Sequence, residues 1–242
     1  MAKDRISRVR KRELEVPDEF VAFSRQLLQW ILTHKTQVGF LVTVLFLIVI
    51  GLSTMTYYSK KTENKASLLV SKSIDKYHSA LQDKGVENAF EDVEKEFEMI
   101  IEKYSGKDSG KFAQLFFANI CYDAGKYEKA TEQYNMLLKN FKGEHAVRNL
   151  ILSSLGYSYA QQKEYKTAAT YFEMITSDSE GTNKDEAFFN SGILYAELGK
   201  DDESMAAFQK ILDDYKESMY FELVTEKINE SGNKRANRKV AD

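Results

Sequence analysis

The chain has 242 residues, 34 Lys/Arg against 37 Asp/Glu and a net charge of −3, so its length allows one domain with an appendage or two small domains. One proline and twelve glycines leave few helix breakers, which favours an all-α chain. The single cysteine, Cys121, excludes an intramolecular disulfide and offers no metal-site spacing; its place in an apolar run reads as a small core residue.

Residues 1–15 (MAKDRISRVRKRELE) form a charged arm suited to an anionic membrane surface. Pro17, Asp18 and Glu19 read as a helix start, and Phe20, Phe23, Leu27, Trp30 and Ile31 share one face behind it. That stripe suits a juxtamembrane amphipathic helix with Trp30 as a headgroup-level anchor, so residues 1–37 form one region. Residues 38–58 then run without a charge, from Val38 to Tyr58. About 20 apolar residues match a hydrocarbon core about 30 Å thick, so this stretch reads as an uncleaved transmembrane helix. Phe40, Leu45 and Ile48 would face lipid, and Tyr57 and Tyr58 would sit at its far boundary. The tail before the span holds eight Lys/Arg against five acids, and the remainder 26 against 32. Counted over the whole tail, the positive charge places the N-terminus in the cytoplasm and the rest outside it. Lys60, Lys61, Lys65 and Lys72 pull the other way, but long domains translocate largely regardless of charge.

Residues 59–230 form the domain beyond the span. Its first part, 62–104, reads as a hairpin. Leu68, Leu69, Ile74, Tyr77 and Leu81 recur at helical spacing, Gly85 stops that helix, and Phe90, Val93, Phe97, Ile100 and Ile101 mark the next. SGKDSG (105–110) reads as a loop. Three units follow at 111–142, 149–180 and 185–216. The second carries Leu152, Leu155, Gly156, Tyr159, Ala168, Phe172 and Ile175, and the third Phe188, Ser191, Gly192, Tyr195, Ser204, Phe208 and Ile211. The first is weaker: Leu115, Ala118, Tyr122, Ala130, Tyr134 and Leu137. Large–small–aromatic on one helix, then small–aromatic–aliphatic on the next, resembles the tetratricopeptide repeat (TPR) pattern. The small residue lets a paired helix approach, and the aromatic fills the space beside it. Gly125-Lys126-Tyr127, Lys163-Glu164-Tyr165 and Gly199-Lys200-Asp201 fall at equivalent turns. A capping helix at 217–230 closes the stack, which makes the expected fold an α-solenoid behind a single N-terminal span, and 231–242 is a polar, basic tail.

Catalytic signatures are not legible. Gly106 to Lys111 has three residues between its glycines and Phe112 after the lysine, which fits no phosphate loop. Asp178, Glu180 and Gly181 faintly resemble a calcium loop, but Thr176 and Ala187 stand where a carboxylate and a bidentate glutamate belong, so it reads as a solvated loop. His34, His78 and His145 have no carboxylate at ligand spacing, and the run Glu91, Asp92, Glu94, Glu96, Glu98 reads as a wet helix face. No enzyme, metal or cofactor is expected, and no nucleic acid or small-molecule substrate.

In TPR solenoids the leading helix of each pair lines a concave groove. Carried onto this chain, the groove positions are Phe112, Leu115, Asn119, Tyr122 and Asp123, then Leu150, Ser153, Tyr157, Ala160 and Gln161, then Glu186, Phe189, Ile193, Ala196 and Glu197. None is Lys or Arg, so this is no carboxylate clamp; it reads as an apolar, aromatic channel with an acidic rim. Tyr122, Tyr157 and Phe189 would line it continuously. The alternative is a groove already filled by helix 62–83 or by a second copy.

A short basic tail, one span, an eroded hairpin, TPR units and a closing helix ending Glu226-Lys227-Ile228-Asn229 resemble the YfgM-type ancillary subunit of the SecYEG translocon. That resemblance implies a non-enzymatic scaffold in the bacterial inner membrane, with its TPR domain in the periplasm. Its partners would be Sec translocon subunits and periplasmic chaperones or clients. The arm with Val16-Pro17-Asp18-Glu19-Phe20 departs from that family. An envelope-assembly or cell-division TPR scaffold is the alternative, and a membrane-anchored enzyme a more distant one.

Overall fold

The computed structural model describes residues 19–141 and 143–229; the arm 1–15, Pro17, Asp18 and the tail 231–242 lie outside the described residues. Every regular element among them is an α-helix. The chain divides between Thr62 and Glu63 into two compact units.

In the first unit, α1 spans Glu19–Thr33, and α2, which spans Lys35–Lys84, begins there. Phe23, Leu27 and Trp30 are exposed on α1, and Trp30 stacks on His34 with ring centroids 5.0 Å apart. Residues 39–60 are exposed throughout. α2 is long and apolar enough to cross a membrane. Its side chains suit that environment. Phe40, Leu45, Ile48, Tyr57 and Tyr58 all point away from protein. The hydroxyls of Thr43, Thr54 and Thr56 donate to the carbonyls of Gly39, Ile50 and Ser53, so none needs water.

In the second unit the remainder of α2 forms a hairpin with α3 (Val86–Tyr104). Gly85, at φ 80°, makes the turn. The face of α2 that is hidden differs from the face marked by its large apolar residues. Ala66, Val70, Ser73, Tyr77 and Ala80 are buried, Leu69, Ile74 and Leu81 are half-buried, and Leu68 is 57% exposed. The buried set steps by four and three, and small residues at every second position allow close helix approach. On α3, Phe90, Val93, Phe97 and Ile100 are buried and Ile101 only partly.

Three further hairpins follow: α4 (Asp108–Asp123) with α5 (Tyr127–Leu138), α6 (His145–Gln161) with α7 (Tyr165–Thr176), and α8 (Lys184–Glu197) with α9 (Asp201–Asp214). Each helix packs on the next. A closing helix, α10, covers 221–229 and buries Val224 against Phe208 and Ile211. The leading helices begin earlier than the apolar pattern shows, because their first turns carry polar residues. Thus α4 includes Asp108 to Gly110, expected as loop. Gly110 lies so close to the Tyr104 carbonyl that any Cβ there would clash with it.

The repeat lock is a glycine beneath an aromatic ring. A Cβ on Gly156 would lie 2.5 Å from the Phe172 ring, and one on Gly192 would strike Phe208 equally. Leu152, Leu155, Ala168 and Ile175 complete the buried layer of the second repeat. The three intra-repeat turns share one geometry. Gly125, Lys163 and Gly199 have φ of 70°, 63° and 69°. The next residue, Lys126, Glu164 or Lys200, donates its N–H to the carbonyl five residues back, on Cys121, Tyr159 or Tyr195.

Candidate functional site

The expected groove residues lie on α4, α6 and α8, and the structure gathers only part of them into one place. Between the first two of these helices a pocket of about 290 Å³ is lined by Asn119, Tyr122, Asp123, Tyr134, Ser154 and Tyr157. Its walls are tied together by tyrosine hydroxyls. Tyr134 donates to Asn119 Oδ1 at 2.5 Å and also pairs with Ser154. Tyr122 is hydrogen-bonded to the side chain of Gln161. Tyr157 donates to Glu186 Oε1 at 2.6 Å and accepts from Asn190 Nδ2 at 3.0 Å. Burial pushes the Tyr122, Tyr134 and Tyr157 hydroxyls above the usual phenol range, so they remain protonated donors. The leading helices are thereby linked in series: Tyr122 to Gln161 joins α4 to α6, and Tyr157 to Glu186 joins α6 to α8.

Asp123 differs from its neighbours. It is exposed and has no hydrogen-bond or ion-pair partner among the described residues, and partial desolvation by the pocket walls raises its carboxyl above the ordinary range. The lining residues that the sequence pattern did not mark for the groove are Tyr134 and Ser154, with Asn190 behind them. Tyr134 reads as core, and its ring is core at 2% exposure, but its hydroxyl reaches the wall.

The rest of the expected channel is distributed elsewhere. Phe112 is exposed beside a separate cavity of about 480 Å³ lined also by Glu63, Ser67, Ile74 and Ser109. Leu115 is half-buried against the core, Leu150 is exposed, and Ser153 is half-buried. Phe189 stacks on Tyr220 with centroids 4.6 Å apart, and Ile193 packs in the same cluster. The closing segment therefore covers the third rung, so Tyr122, Tyr157 and Phe189 do not line one open channel. Helix 63–84 does not fill the groove either. It heads the first hairpin, with Glu63 accepting from the N–H and hydroxyl of Ser109, and Tyr77 edge-on to Phe116.

Two polar features depart from the sequence expectation. His145 lies within 2.8 Å of Asp178 and 3.5 Å of Glu180, thirty-three and thirty-five positions away, so the loop after α7 is held and not merely solvated. Four of the five acids in the run on α3 are paired, and Glu91 is exposed. Lys76 meets Glu96 at 2.5 Å, Lys84 meets Asp92 at 2.9 Å, and Lys129 meets Glu94 and Glu98 at 2.5 Å each. Among the described residues no group of three His, Cys, Asp or Glu side chains is placed to hold a metal ion.

The profile of the tetratricopeptide repeat-like domain family matches residues 29–233, most of the chain. The chain belongs to that family. No curated protein matches it in sequence. A tetratricopeptide repeat protein from Parabacteroides merdae is similar in structure, with a TM-score of 0.51 at 18% identity, covering 65% of this chain. The chain spans 58% of that protein's length. A second similar structure is a kinesin light chain-type protein of Podosopora anserina with nearly identical TPR-like repeats. Its TM-score is 0.53 at 15% identity, covering 73% of this chain and 90% of that one. At these identities the likeness is one of fold. The fold is that of a protein-interaction scaffold, a class generally without catalysis.

Proposed function

We propose that this TPR-like protein is a non-enzymatic, membrane-anchored scaffold that holds a segment of a partner protein against its leading helices. The observation that carries the proposal is the tyrosine-walled pocket between α4 and α6, open beside a face without Lys or Arg. The anchor is the uncharged stretch of α2, whose threonine hydroxyls are satisfied within the helix. Domain limits follow from that anchor: a tail at 1–37, a span at 38–58 and a repeat domain at 59–230. The basic tail supports an N-terminus in the cytoplasm with the repeats on the periplasmic side of a bacterial inner membrane. The resemblance to YfgM-type subunits makes the Sec translocon and periplasmic chaperones the partners of choice.

Affinity purification of the detergent-extracted full chain tests the partner, with Tyr157→Ala beside the wild type. Recovery of translocon subunits by the wild type and their loss from the variant supports the reading. Recovery of assembly or division proteins instead moves the scaffold to that machinery. Equal recovery by both proteins removes the groove from binding. Protease added to spheroplasts tests the topology: digestion beyond residue 60 is expected, and protection of the repeats inverts the orientation.

A further inference from the structure

We infer that the pocket between α4 and α6 receives one cationic side chain, a lysine or an arginine, of the partner segment bound there. This rests on the scaffold reading above and names the chemistry of its partner. The pocket, at about 290 Å³, has room for one long side chain and not for a folded element. Three of its six walls are tyrosines, Tyr122, Tyr134 and Tyr157, and aromatic rings attract a cation through their quadrupole. The apolar stem of Lys or Arg packs on such rings while its charged head reaches a polar end.

Asp123 supplies that polar end. Every tyrosine hydroxyl in the wall already has a partner: Asn119 and Ser154 for Tyr134, Gln161 for Tyr122, Glu186 and Asn190 for Tyr157. The Asp123 carboxylate alone stands without one among the described residues. Asp123 lines the pocket while remaining exposed, so a cation entering the pocket meets an accessible carboxylate and gains a charge-assisted hydrogen bond there. An anion would be repelled, and a neutral donor would leave the charge uncompensated. No wall residue is Lys or Arg, and the neighbouring positions Glu186 and Glu197 extend the same sign along the leading helices. Charge complementarity therefore selects a basic residue flanked by apolar ones.

The test uses the full chain in lipid nanodiscs, labelled with 3-fluorotyrosine and assigned by single Tyr→Phe variants. The probes are acetyl-Leu-Arg-Leu-amide and the same peptide with citrulline, which keeps the shape and removes the charge. The arginine peptide is expected to shift the ¹⁹F resonances of Tyr122, Tyr134 and Tyr157. It should bind about tenfold more tightly than the citrulline peptide, the combined effect of the carboxylate and the rings. Asp123→Asn should reduce that preference to the share of the rings, and Asp123→Glu should retain much of it. Equal affinity of the two peptides, or shifts confined to other tyrosines, overturns the inference. Shifts of the pocket tyrosines by both peptides alike would sink the cation and leave the groove standing. Binding of the arginine peptide only after removal of residues 230–242, which carry Lys234, Arg235, Arg238 and Lys239, would give the pocket to the chain's own tail. Binding only upon dilution would give it to a second copy. Either outcome overturns the assignment to a separate partner.

Discussion

In the hairpin of residues 63–104, helices are joined by charged side chains: Lys76 to Glu96, Lys84 to Asp92, and Lys129 of the next repeat to Glu94 and Glu98. In the hairpins 145–176 and 184–214 the corresponding joints are Gly156 beneath Phe172 and Gly192 beneath Phe208. Both designs bring a leading and a trailing helix together, but they do so with opposite tolerances. A ring over a glycine leaves no space for another atom. Lysines on long stems accept several geometries, and Lys76 and Lys84 flank a hidden face whose small residues, Ala66, Ser73 and Ala80, let the helices approach. The difference teaches that the TPR pattern describes one way of closing a hairpin, not the hairpin itself.

The comparison breaks most visibly at Gly156. Gly156→Leu forces a side chain into the Phe172 ring and is expected to cost about 3 kcal/mol, read as a shift in the urea midpoint. An unchanged midpoint would mean that the ring is free to move aside. The next test falls on Lys129. It is 27% exposed, spans Glu94 and Glu98, and lies 5.3 Å from the centre of the Phe117 ring. Lys129→Ala leaves two carboxylates facing one another and should cost about 1–2 kcal/mol, discounted for the partial exposure of both pairs. Lys129→Met should lose less, because the stem's contact with the rings is kept. Equal losses would assign Lys129's role wholly to charge.

A smaller effect sharpens the likeness among the three turns. Lys163 occupies the left-handed position that Gly125 and Gly199 fill in the other repeats. Lys163→Gly should stabilise by up to about 1 kcal/mol, measured by denaturant titration. A loss would show that the Lys163 side chain makes a contact outweighing the strain. The smallest effect concerns the loop held by His145. Its hydrogen bond to Asp178 raises the His145 pKa, and the same bond lowers that of Asp178. The histidine's share is present below its unfolded pKa and is lost as pH rises through the folded value. The aspartate's share is present above its unfolded pKa and is lost as pH falls through the folded value. The contact is therefore strongest from about pH 4 to 6.5. Imidazole NMR should give a His145 midpoint that falls in Asp178→Asn; an unmoved midpoint would mean that the pair is not formed.

The repeat helices were legible because Gly156, Phe172, Gly192 and Phe208 are large departures from average at fixed spacing, and packing demands those sizes there. The hidden face of α2 was not, since hydrophobic periodicity weighs Leu68 above Ala66, while close helix approach favours the smaller residue. The pocket was half legible. Asn119, Tyr122, Asp123 and Tyr157 follow from repeat position, but Tyr134 joins the wall only through its hydroxyl, and Ser154 through its register on α6. Long-range closures left no local signal at all. Nothing in the spacing of Phe189 and Tyr220, or of His145 and Asp178, announces a contact that depends on how neighbouring hairpins stack.

Cys121 turns the seam between the first two hairpins into its own clock. The thiol is fully buried in the core shared by α3 and α4, and burial pushes its pKa up to about 12, so in the closed state it is both shielded and unreactive. It is the chain's single sulfhydryl, so a maleimide added to the intact protein has one target. The labelling rate, compared with that of the unfolded chain, then reads how often this seam opens, residue-specifically and without an introduced probe.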